Sequence, residues 1–325
     1  MIGPVSEQSW HYRQVNARAP GLSFLSNALG ELVDEGHPVV AGTADLSYSN
    51  GLVRFAEAHP DRFIQFGISE QNMVSAAAGL AATGMIPYVA SFASFLALLA
   101  CEQIRTDVAY SALPVRLIGH HAGIALGFYG TSHHATEDLA IMRSIADLVV
   151  IAPADGVQLA AAIKATVSHS QPIYFRIGRG QEPLVYPAGT RFELGRAVVH
   201  REGDELILIV CGTMLHPALA AVTALHESGR SVGLIDMPTI KPIDRNAILA
   251  AARRARLIVT VEEHNTIGGL GGAVAEVLAD AGVPARLMRH GIVDQYSLIA
   301  PPTHLYRHYR LDAAGIEAVV REALT

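Results

Sequence analysis

Short apolar runs alternate along the chain with longer runs of helical composition. Ten of the short runs are predicted to be buried strands: HPVVAG, DRFIQFG, MIPYVASF, VRLIGHHAG, DLVVIAPAD, PIYFRIG, ELILIVCG, SVGLIDMP, ARLIVTVEEH and ARLMRHGI. Segments between them, such as EQNMVSAAAGLAAT and DGVQLAAAIKATVSH, have the length and composition of helices. Apolar strands that alternate with helices predict parallel sheets covered on both faces. The predicted fold class is therefore α/β, with doubly wound and mostly parallel sheets.

The alternation is interrupted once, by the Gly- and Pro-containing segment GQEPLVYPAGTRFELG. We therefore predict a domain boundary near Pro187, with a first domain at 1–187 and a second at 188–325. The chain length of 325 residues fits two domains of roughly 150 residues each.

Composition and charge narrow the classes of partner. Half of the residues are apolar and 17% are charged, which suits buried cores and argues against disorder. The net charge is -6 and no basic block is present, so nucleic acid is not an expected partner. The two cysteines, Cys101 and Cys211, suit a reducing compartment. No C-x-x-C or H-E-x-x-H spacing occurs, so no metal site is expected in this chain.

Targeting and membrane signals are also weak. The first twenty residues lack a charged region followed by an apolar one, and the apolar stretches are short and interrupted. We therefore expect a soluble cytoplasmic protein with no membrane partner.

The segment GISEQNM follows a predicted strand and opens a predicted helix. In one interpretation Ser69 caps the helix and Glu70 favours its positive end. The small apolar residues that follow favour a second interpretation, in which Glu70 is buried beside a closely packed neighbour. A buried carboxyl tends to keep its proton and can share it with a ring nitrogen.

Four histidines lie within one segment after a predicted strand, GHHAGIALGFYGTSHHATEDLAIMRSI, in which they are His120, His121, His133 and His134. Sites of parallel α/β sheets form where strands end. His120 and His134 could instead form structural pairs.

Four stretches in order carry a resemblance to a known family: GTADLSYSN, GISEQNM, the histidine-rich segment and IAPADGVQLAAAI. From about Arg18 to His264 the chain resembles the C-terminal two-thirds of transketolases, and most closely their two-subunit versions. The resemblance implies a pyrimidine-binding domain followed by a transketolase C-terminal domain. It also implies thiamine-diphosphate-dependent transfer of a two-carbon ketol unit from a ketose phosphate to an aldehyde.

The resemblance assigns cofactor-binding roles. It makes Glu70 the carboxyl that bonds N1′ of the aminopyrimidine, which promotes loss of the thiazolium C2 proton. Phe92 and Phe95 match aromatic residues of the pyrimidine pocket, and a third aromatic position is occupied by Leu98. His133 is expected near the 4′-amino group, where it would pass protons near neutral pH.

The resemblance also assigns substrate contacts. His121 is expected to contact the sugar and to act with Glu70 and His133 in catalysis. The phosphate contacts implied by the family are Arg18, Ser49 and Arg179. Where the family has Glu-Asp-Gly, this chain has Phe128, Tyr129 and Gly130. The usual Asp contacts a sugar hydroxyl, so Tyr129 predicts a deoxygenated, shorter or otherwise modified substrate.

The family's Gly-Asp-Gly site for Mg²⁺ and diphosphate is not found in this sequence. The only Gly-Asp pair is Gly203-Asp204, which Glu205 follows in the second predicted domain. The Gly-rich segment 267–278 fits a tight turn and close helix packing better than a phosphate cradle. The resemblance therefore implies a partner subunit that holds the diphosphate and Mg²⁺, in an α2β2 assembly built on a homodimer of this chain.

Three alternatives rank below this hypothesis. The beta subunit of a 2-oxoacid dehydrogenase shares both domains, but the segment SHHATEDLAIMRSI looks more like transketolase. A deoxyxylulose-phosphate synthase carries its own diphosphate domain. A non-catalytic assembly subunit is left open by Tyr129, although Glu70 and His133 speak against it.

Overall fold

The computed structural model describes residues 20–325, and their side chains from residue 23 onward. The strands, in chain order, are β1 Val39–Thr43, β2 Phe63–Gln65, β3 Ile86–Phe92, β4 Arg116–His120, β5 Val149–Ile151, β6 Ile173–Arg176, β7 Val198–Arg201, β8 Leu206–Val210, β9 Val232–Asp236, β10 Thr239–Lys241, β11 Ile258–Asn265 and β12 Leu287–Ile292.

The α-helices in the same range are α1 Pro20–Asp34, α2 Ser47–Asn50, α3 Val53–Ala58, α4 Glu70–Ala82, α5 Cys101–Gln103, α6 Asp138–Ser144, α7 Gly156–Ala165, α8 Leu215–Glu227, α9 Arg245–Arg254, α10 Leu270–Asp280, α11 Pro302–His308 and α12 Ala313–Ala323. Two π-helical segments, Phe95–Leu99 and Ile104–Ala109, flank α5. Short 3₁₀ segments lie at Pro60–Arg62, Gly127–Ser132 and Gly212–Met214.

The strands form two sheets. The first has seven strands in the order β10-β5-β6-β4-β3-β1-β2, and the second has five in the order β12-β11-β8-β9-β7. All pairings are parallel except β10 with β5 and β7 with β9. The prediction of an α/β fold with mostly parallel sheets is confirmed.

Helices cover both faces of the first sheet because its strands are apolar on both sides. In β3, Tyr88 and Ala90 join one apolar cluster, and Val89 between them joins another. Side chains alternate between the faces of a strand, so the two clusters lie on opposite faces of the sheet. α1 packs with α7 in one layer, and α4 packs on β3 in the other.

The two sheets are joined by more than the connecting segment. β10 comes from beyond the predicted boundary but pairs with β5, with Thr239 opposite Ile151. One apolar cluster also includes Val150 of the first sheet and Ile235 of the second. The boundary near Pro187 stays a prediction.

All ten predicted strands are present, and two further strands were not predicted. β7 and β10 are antiparallel strands at the edges of their sheets, and they have four and three residues. β7 has no fully buried residue and β10 is only three residues long, so neither forms the apolar run that identified the others. None of the helices between residues 20 and 325 has the length and apolar character needed to cross a membrane.

Candidate active site

A cluster of aromatic and imidazole rings lies where β3 and β4 end. Phe92 is the last residue of β3, and its ring centroid lies 5.3 Å from Phe95, 4.8 Å from His120, 5.2 Å from His121 and 5.3 Å from His133. Parallel strands bring their carboxyl ends to one edge of the sheet, where sites of this fold class form. The structure thus brings three of the predicted site residues, Phe95, His121 and His133, together around Phe92. His120, for which a structural pairing was one interpretation, lies in the same cluster.

Glu70 is buried, with 6% of its surface exposed, at the first turn of α4. Its Oε1 accepts a hydrogen bond of 2.8 Å from the hydroxyl of Ser91, the residue before Phe92. Among the described residues, none donates to Oε2. The hydroxyl of Ser69 donates to the carbonyl of Phe66 and makes no helix cap. The capping interpretation of Ser69 is therefore wrong, and Glu70 is tied to the strand beside the ring cluster.

The rings of His120 and His121 lie next to each other in the cluster, with centroids 4.8 Å apart. Their Nδ1 atoms lie 2.7 Å apart, so one ring donates to the other. Burial lowers the pKa of His120 well below its usual value, and burial and the charge of Arg179 lower the pKa of His121 to about 3. His121, the first residue after β4, has a φ of 56°, in the left-handed region that few non-glycine residues adopt. Both rings are therefore neutral near pH 7.

His133 lies on the loop that follows β4 and is half-buried. Its carbonyl accepts from the hydroxyl of Ser94 at 3.1 Å, and its Nδ1 lies 2.8 Å from the hydroxyl of Ser132. Burial lowers its pKa. The exposed ring of Tyr129 lies 4.8 Å from the His133 ring. Tyr129 is thus next to a predicted catalytic residue, where the family has an Asp.

The predicted phosphate contacts fall in different places. Arg18 lies outside the described residues. Ser49 lies on α2, which follows β1, and the adjacent Asn50 donates to the Thr43 hydroxyl at the end of β1 at 2.7 Å. Arg179 follows β6 and makes no ion pair within the described part of the chain, and its charge acts on His121. No contact links Ser49 to the ring cluster.

Arg179 also lines a cleft of about 590 Å³ between the two halves of the molecule. The other charged or imidazole groups on the cleft wall are Glu182, His216, Arg307 and Asp312. The carboxylate of Glu182 accepts from the backbone N–H groups of Arg179 and Gly180 at 2.6 and 2.8 Å. Among the described residues, the Arg179 guanidinium forms no ion pair with a carboxylate. Such a guanidinium is suited to a phosphate.

Two residues of the site, Ser91 and Ser94, were not predicted from the sequence. Ser91 and Ser94 lie among apolar and aromatic residues, yet their hydroxyls hold Glu70 and His133. A serine inside a buried strand was the available signal, because a buried hydroxyl needs a partner. Leu98 is 57% exposed and makes no ring contact, so the third aromatic wall of the family is absent here.

The residues present fit an aminopyrimidine. A flat heterocycle needs an apolar or aromatic wall, a carboxyl for N1′ and groups that exchange protons with an amine. Phe92 and Phe95 supply the wall, and Glu70 supplies a buried carboxyl with one oxygen that lacks a donor. The buried Nε2 of His120 has no partner in the described part of the chain.

Comparison with known proteins agrees with this fit. Residues 22–183 match the family described as "Transketolase, pyrimidine binding domain", and residues 195–316 match "Transketolase, C-terminal domain". A "Putative transketolase C-terminal section" of Methanocaldococcus jannaschii is 40% identical over 283 residues, which is 86% of this chain and 89% of that protein. A subunit of an "Apulose-4-phosphate transketolase" of Phocaeicola vulgatus is 36% identical over 90% of this chain and 93% of that protein.

A solved structure is similar over the same range. A "Split gene transketolase, inactive beta4 tetramer" superposes with a TM-score of 0.84 and 39% identity. The superposition covers 94% of this chain and 97% of that one.

Proposed function

The chain belongs to the transketolase family, and from that premise we propose that it is the subunit that binds the pyrimidine of thiamine diphosphate and the ketose in a split, two-component enzyme. The proposed reaction is the transfer of a two-carbon ketol unit from a ketose to an aldehyde. The observation that carries the proposal is the buried carboxyl of Glu70 beside the rings of Phe92, Phe95, His121 and His133.

Glu70 would hold a proton at N1′ of the pyrimidine, because a carboxyl oxygen can share a proton with a ring nitrogen through a hydrogen bond. Ser91 fixes Oε1, which leaves Oε2 to make this bond. When bound, thiamine diphosphate supplies the nucleophilic carbon and the electron sink of the reaction. Phe92 and Phe95 exclude water from the pyrimidine face.

The histidines act on the substrate as neutral groups. With a pKa of about 3, His121 stays neutral and serves as a hydrogen-bond partner for a sugar oxygen. Burial lowers the pKa of His133, which keeps it unprotonated and able to accept a proton near pH 7. Phe92 contacts both rings and holds them at one site.

The substrate is proposed to be a ketose phosphate altered near one hydroxyl. Arg18, Ser49 and Arg179 would bind the phosphate, and the unpaired Arg179 guanidinium in the cleft is the structural support for this role. Tyr129 replaces the family's carboxylate and contacts His133. The relative named for apulose 4-phosphate supports a substrate other than the usual pentose phosphates.

The partner is proposed to be a subunit that carries the Gly-Asp-Gly site, with Mg²⁺ and the diphosphate. Two relatives, one named as a C-terminal section and the other as one subunit of a transketolase, support this division. An α2β2 assembly around a homodimer of this chain, in the cytoplasm, completes the proposal. We rank a 2-oxoacid dehydrogenase, a deoxyxylulose-phosphate synthase and a non-catalytic subunit lower, because the relatives that match nearly end to end are named as transketolase chains.

Reconstitution tests the function. The chain is mixed with a transketolase N-terminal subunit, thiamine diphosphate and Mg²⁺, and ketol transfer from ketose phosphates to an aldehyde is measured. We expect activity in the mixture and none with either chain alone. A reconstituted complex that decarboxylates 2-oxoacids but transfers no ketol unit would contradict the proposal.

A further inference from the structure

The histidine loop, residues 121–134, is held at its base by a short bridge. The N–H of Gly123 donates to the carbonyl of Ala135 at 3.0 Å, and the N–H of Ala135 donates back at 2.9 Å. Gly123 has a φ of 66°, and an added Cβ would lie 2.2 Å from the carboxyl of Glu263. The loop that carries His121, Tyr129 and His133 therefore begins against a carboxyl of the second sheet.

Glu263 lies on β11, is 2% exposed and has both oxygens occupied. Its Oε1 accepts from the N–H of Ile124 at 2.7 Å and from the hydroxyl of Tyr306 at 2.8 Å. Its Oε2 accepts from the hydroxyl of Thr213 at 2.8 Å. A carboxyl from the C-terminal half thus fixes the first loop residue after the bridge.

The other end of the loop is fixed by Arg176. Its guanidinium donates to the carbonyls of Ala135 at 3.2 Å and Glu263 at 2.8 Å, and it forms a buried ion pair of 2.9 Å with Asp138. This end of the loop also contacts the C-terminal half through its last residue. His134 is hydrogen-bonded to the hydroxyl of Ser297.

The tip also fits closely against the segment 297–302. Gly130 has a φ of 66°, and an added Cβ would lie 2.7 Å from the side chain of Ile299. Gly127 has a φ of 54°, and an added Cβ would lie 2.7 Å from the carbonyl of Ala300. The loop therefore has no space to shift toward the C-terminal half.

We propose that Glu263 is a positioning residue for the proposed reaction, through which the C-terminal half sets the position of His121, Tyr129 and His133 over the substrate. It touches neither the ring cluster nor Glu70, so it acts through the backbone of the loop. Displacement of reacting groups by about 1 Å can cost about 100-fold in rate, so a fixed loop base has kinetic consequences. This inference rests on the proposed function.

Three variants of the reconstituted complex test the inference. Glu263→Ala removes all three hydrogen bonds. Glu263→Gln keeps an oxygen for Ile124 and Tyr306, and its amide can donate to Thr213. Glu262→Ala is the matched control, because the neighbouring carboxyl is equally buried but accepts from Leu270 and Gly271 at 2.6 and 2.8 Å, away from the loop.

The readouts are kcat/KM for the ketose phosphate that gives the highest activity in the wild-type reconstitution and exchange of the C2 proton of bound thiamine diphosphate. We expect Glu263→Ala to lower kcat/KM between about tenfold and 100-fold while exchange stays near wild type, since Glu70 is untouched. Glu263→Gln should restore most of the loss, and Glu262→Ala should leave kcat/KM near wild type. An equal loss in Glu262→Ala, or wild-type kcat/KM in Glu263→Ala, would overturn the inference.

Two further measurements keep the test decisive. If Glu263→Ala does not fold, Ser297→Ala removes the contact with His134 at the end of the loop, and amide hydrogen exchange of 124–134 is compared with wild type. Faster exchange confined to the loop, with a lower kcat/KM, supports the inference, and unchanged exchange and kinetics contradict it. A wild-type complex without C2 exchange would instead contradict the proposed function.

Discussion

Glu70, at the start of α4, and Glu263, on β11, are both buried carboxyls, and they differ in what their oxygens bind. Glu263 accepts three hydrogen bonds, and neither oxygen is left for another group. Glu70 accepts one, from Ser91, and its Oε2 has no donor among the described residues. A carboxyl whose two oxygens both accept hydrogen bonds within the protein holds the structure in place. A carboxyl beside a ring cluster with one oxygen that lacks a donor can bind a ligand.

Asp236 is a third buried carboxyl, on β9 of the second sheet. Its Oδ2 accepts from Gln158 at 2.9 Å and Tyr186 at 2.7 Å, while its Oδ1 is buried without a donor in the described part of the chain. Burial raises the pKa of Asp236 to about 7. Burial thus favours the protonated form of Asp236, and the neighbouring ring, Tyr186, already donates to its other oxygen.

The largest expected effect comes from the same substitution at the two glutamates. Glu70→Gln should slow C2 proton exchange of the bound cofactor by about 10²- to 10⁴-fold, because an amide cannot share a proton with N1′ in the same way. Glu263→Gln should leave exchange near wild type. Exchange measured by NMR in the reconstituted complex separates the two. Equal rates in both variants would mean that Glu70 is a structural carboxyl like Glu263.

The next effect concerns the buried ion pair behind the histidine loop. Arg176→Ala leaves Asp138 buried without its partner and should lower the free energy of unfolding by about 3–5 kcal/mol. Urea unfolding of the chain measures this. Arg105→Ala breaks the exposed pair with Glu102 and serves as the control, with no measurable change expected. A loss for Arg176→Ala no larger than for the control would show that the buried pair does not hold the loop.

A smaller effect is expected at Tyr129, where the chain departs from its family. Tyr129→Asp restores an acceptor for a sugar hydroxyl, and a buried unpaired hydroxyl costs about 1–3 kcal/mol. Preference should therefore shift toward xylulose 5-phosphate by about fivefold to over 100-fold in kcat/KM. Phe128→Asp, at the adjacent exposed residue, is the control. If wild type already uses xylulose 5-phosphate efficiently and Tyr129→Asp shows no shift, the substrate argument fails.

The last expected effect is a pH dependence of stability at Asp236. In the unfolded chain this carboxyl loses its proton near its ordinary value of 3.8, while the folded form keeps it until about pH 7. The folded state binds more protons across that range, so its stability falls as pH rises from about 4 to 7. Asp236→Asn cannot ionise and should gain stability relative to wild type over the same range. Parallel stability curves for both proteins between pH 4 and 8 would contradict this.

The sequence predicted the parts of the molecule that have a local signal. Apolar strands were found because both faces of a parallel sheet are buried, and β7 and β10 were missed because neither forms an apolar run of that kind. The positions of Glu70, His121 and His133 followed from motif order. The roles of Ser91, Arg176 and Glu263 depend on contacts across the fold, which residue spacing does not encode.

The central proposal is that this chain supplies only the pyrimidine half of the cofactor site. Calorimetry with thiamine diphosphate and Mg²⁺ measures binding by the isolated chain and by the chain mixed with a diphosphate-domain subunit. We expect weak binding alone, because the Mg²⁺–diphosphate contacts are missing, and tight stoichiometric binding in the mixture. Tight stoichiometric binding by a verified monomer of this chain would contradict the account.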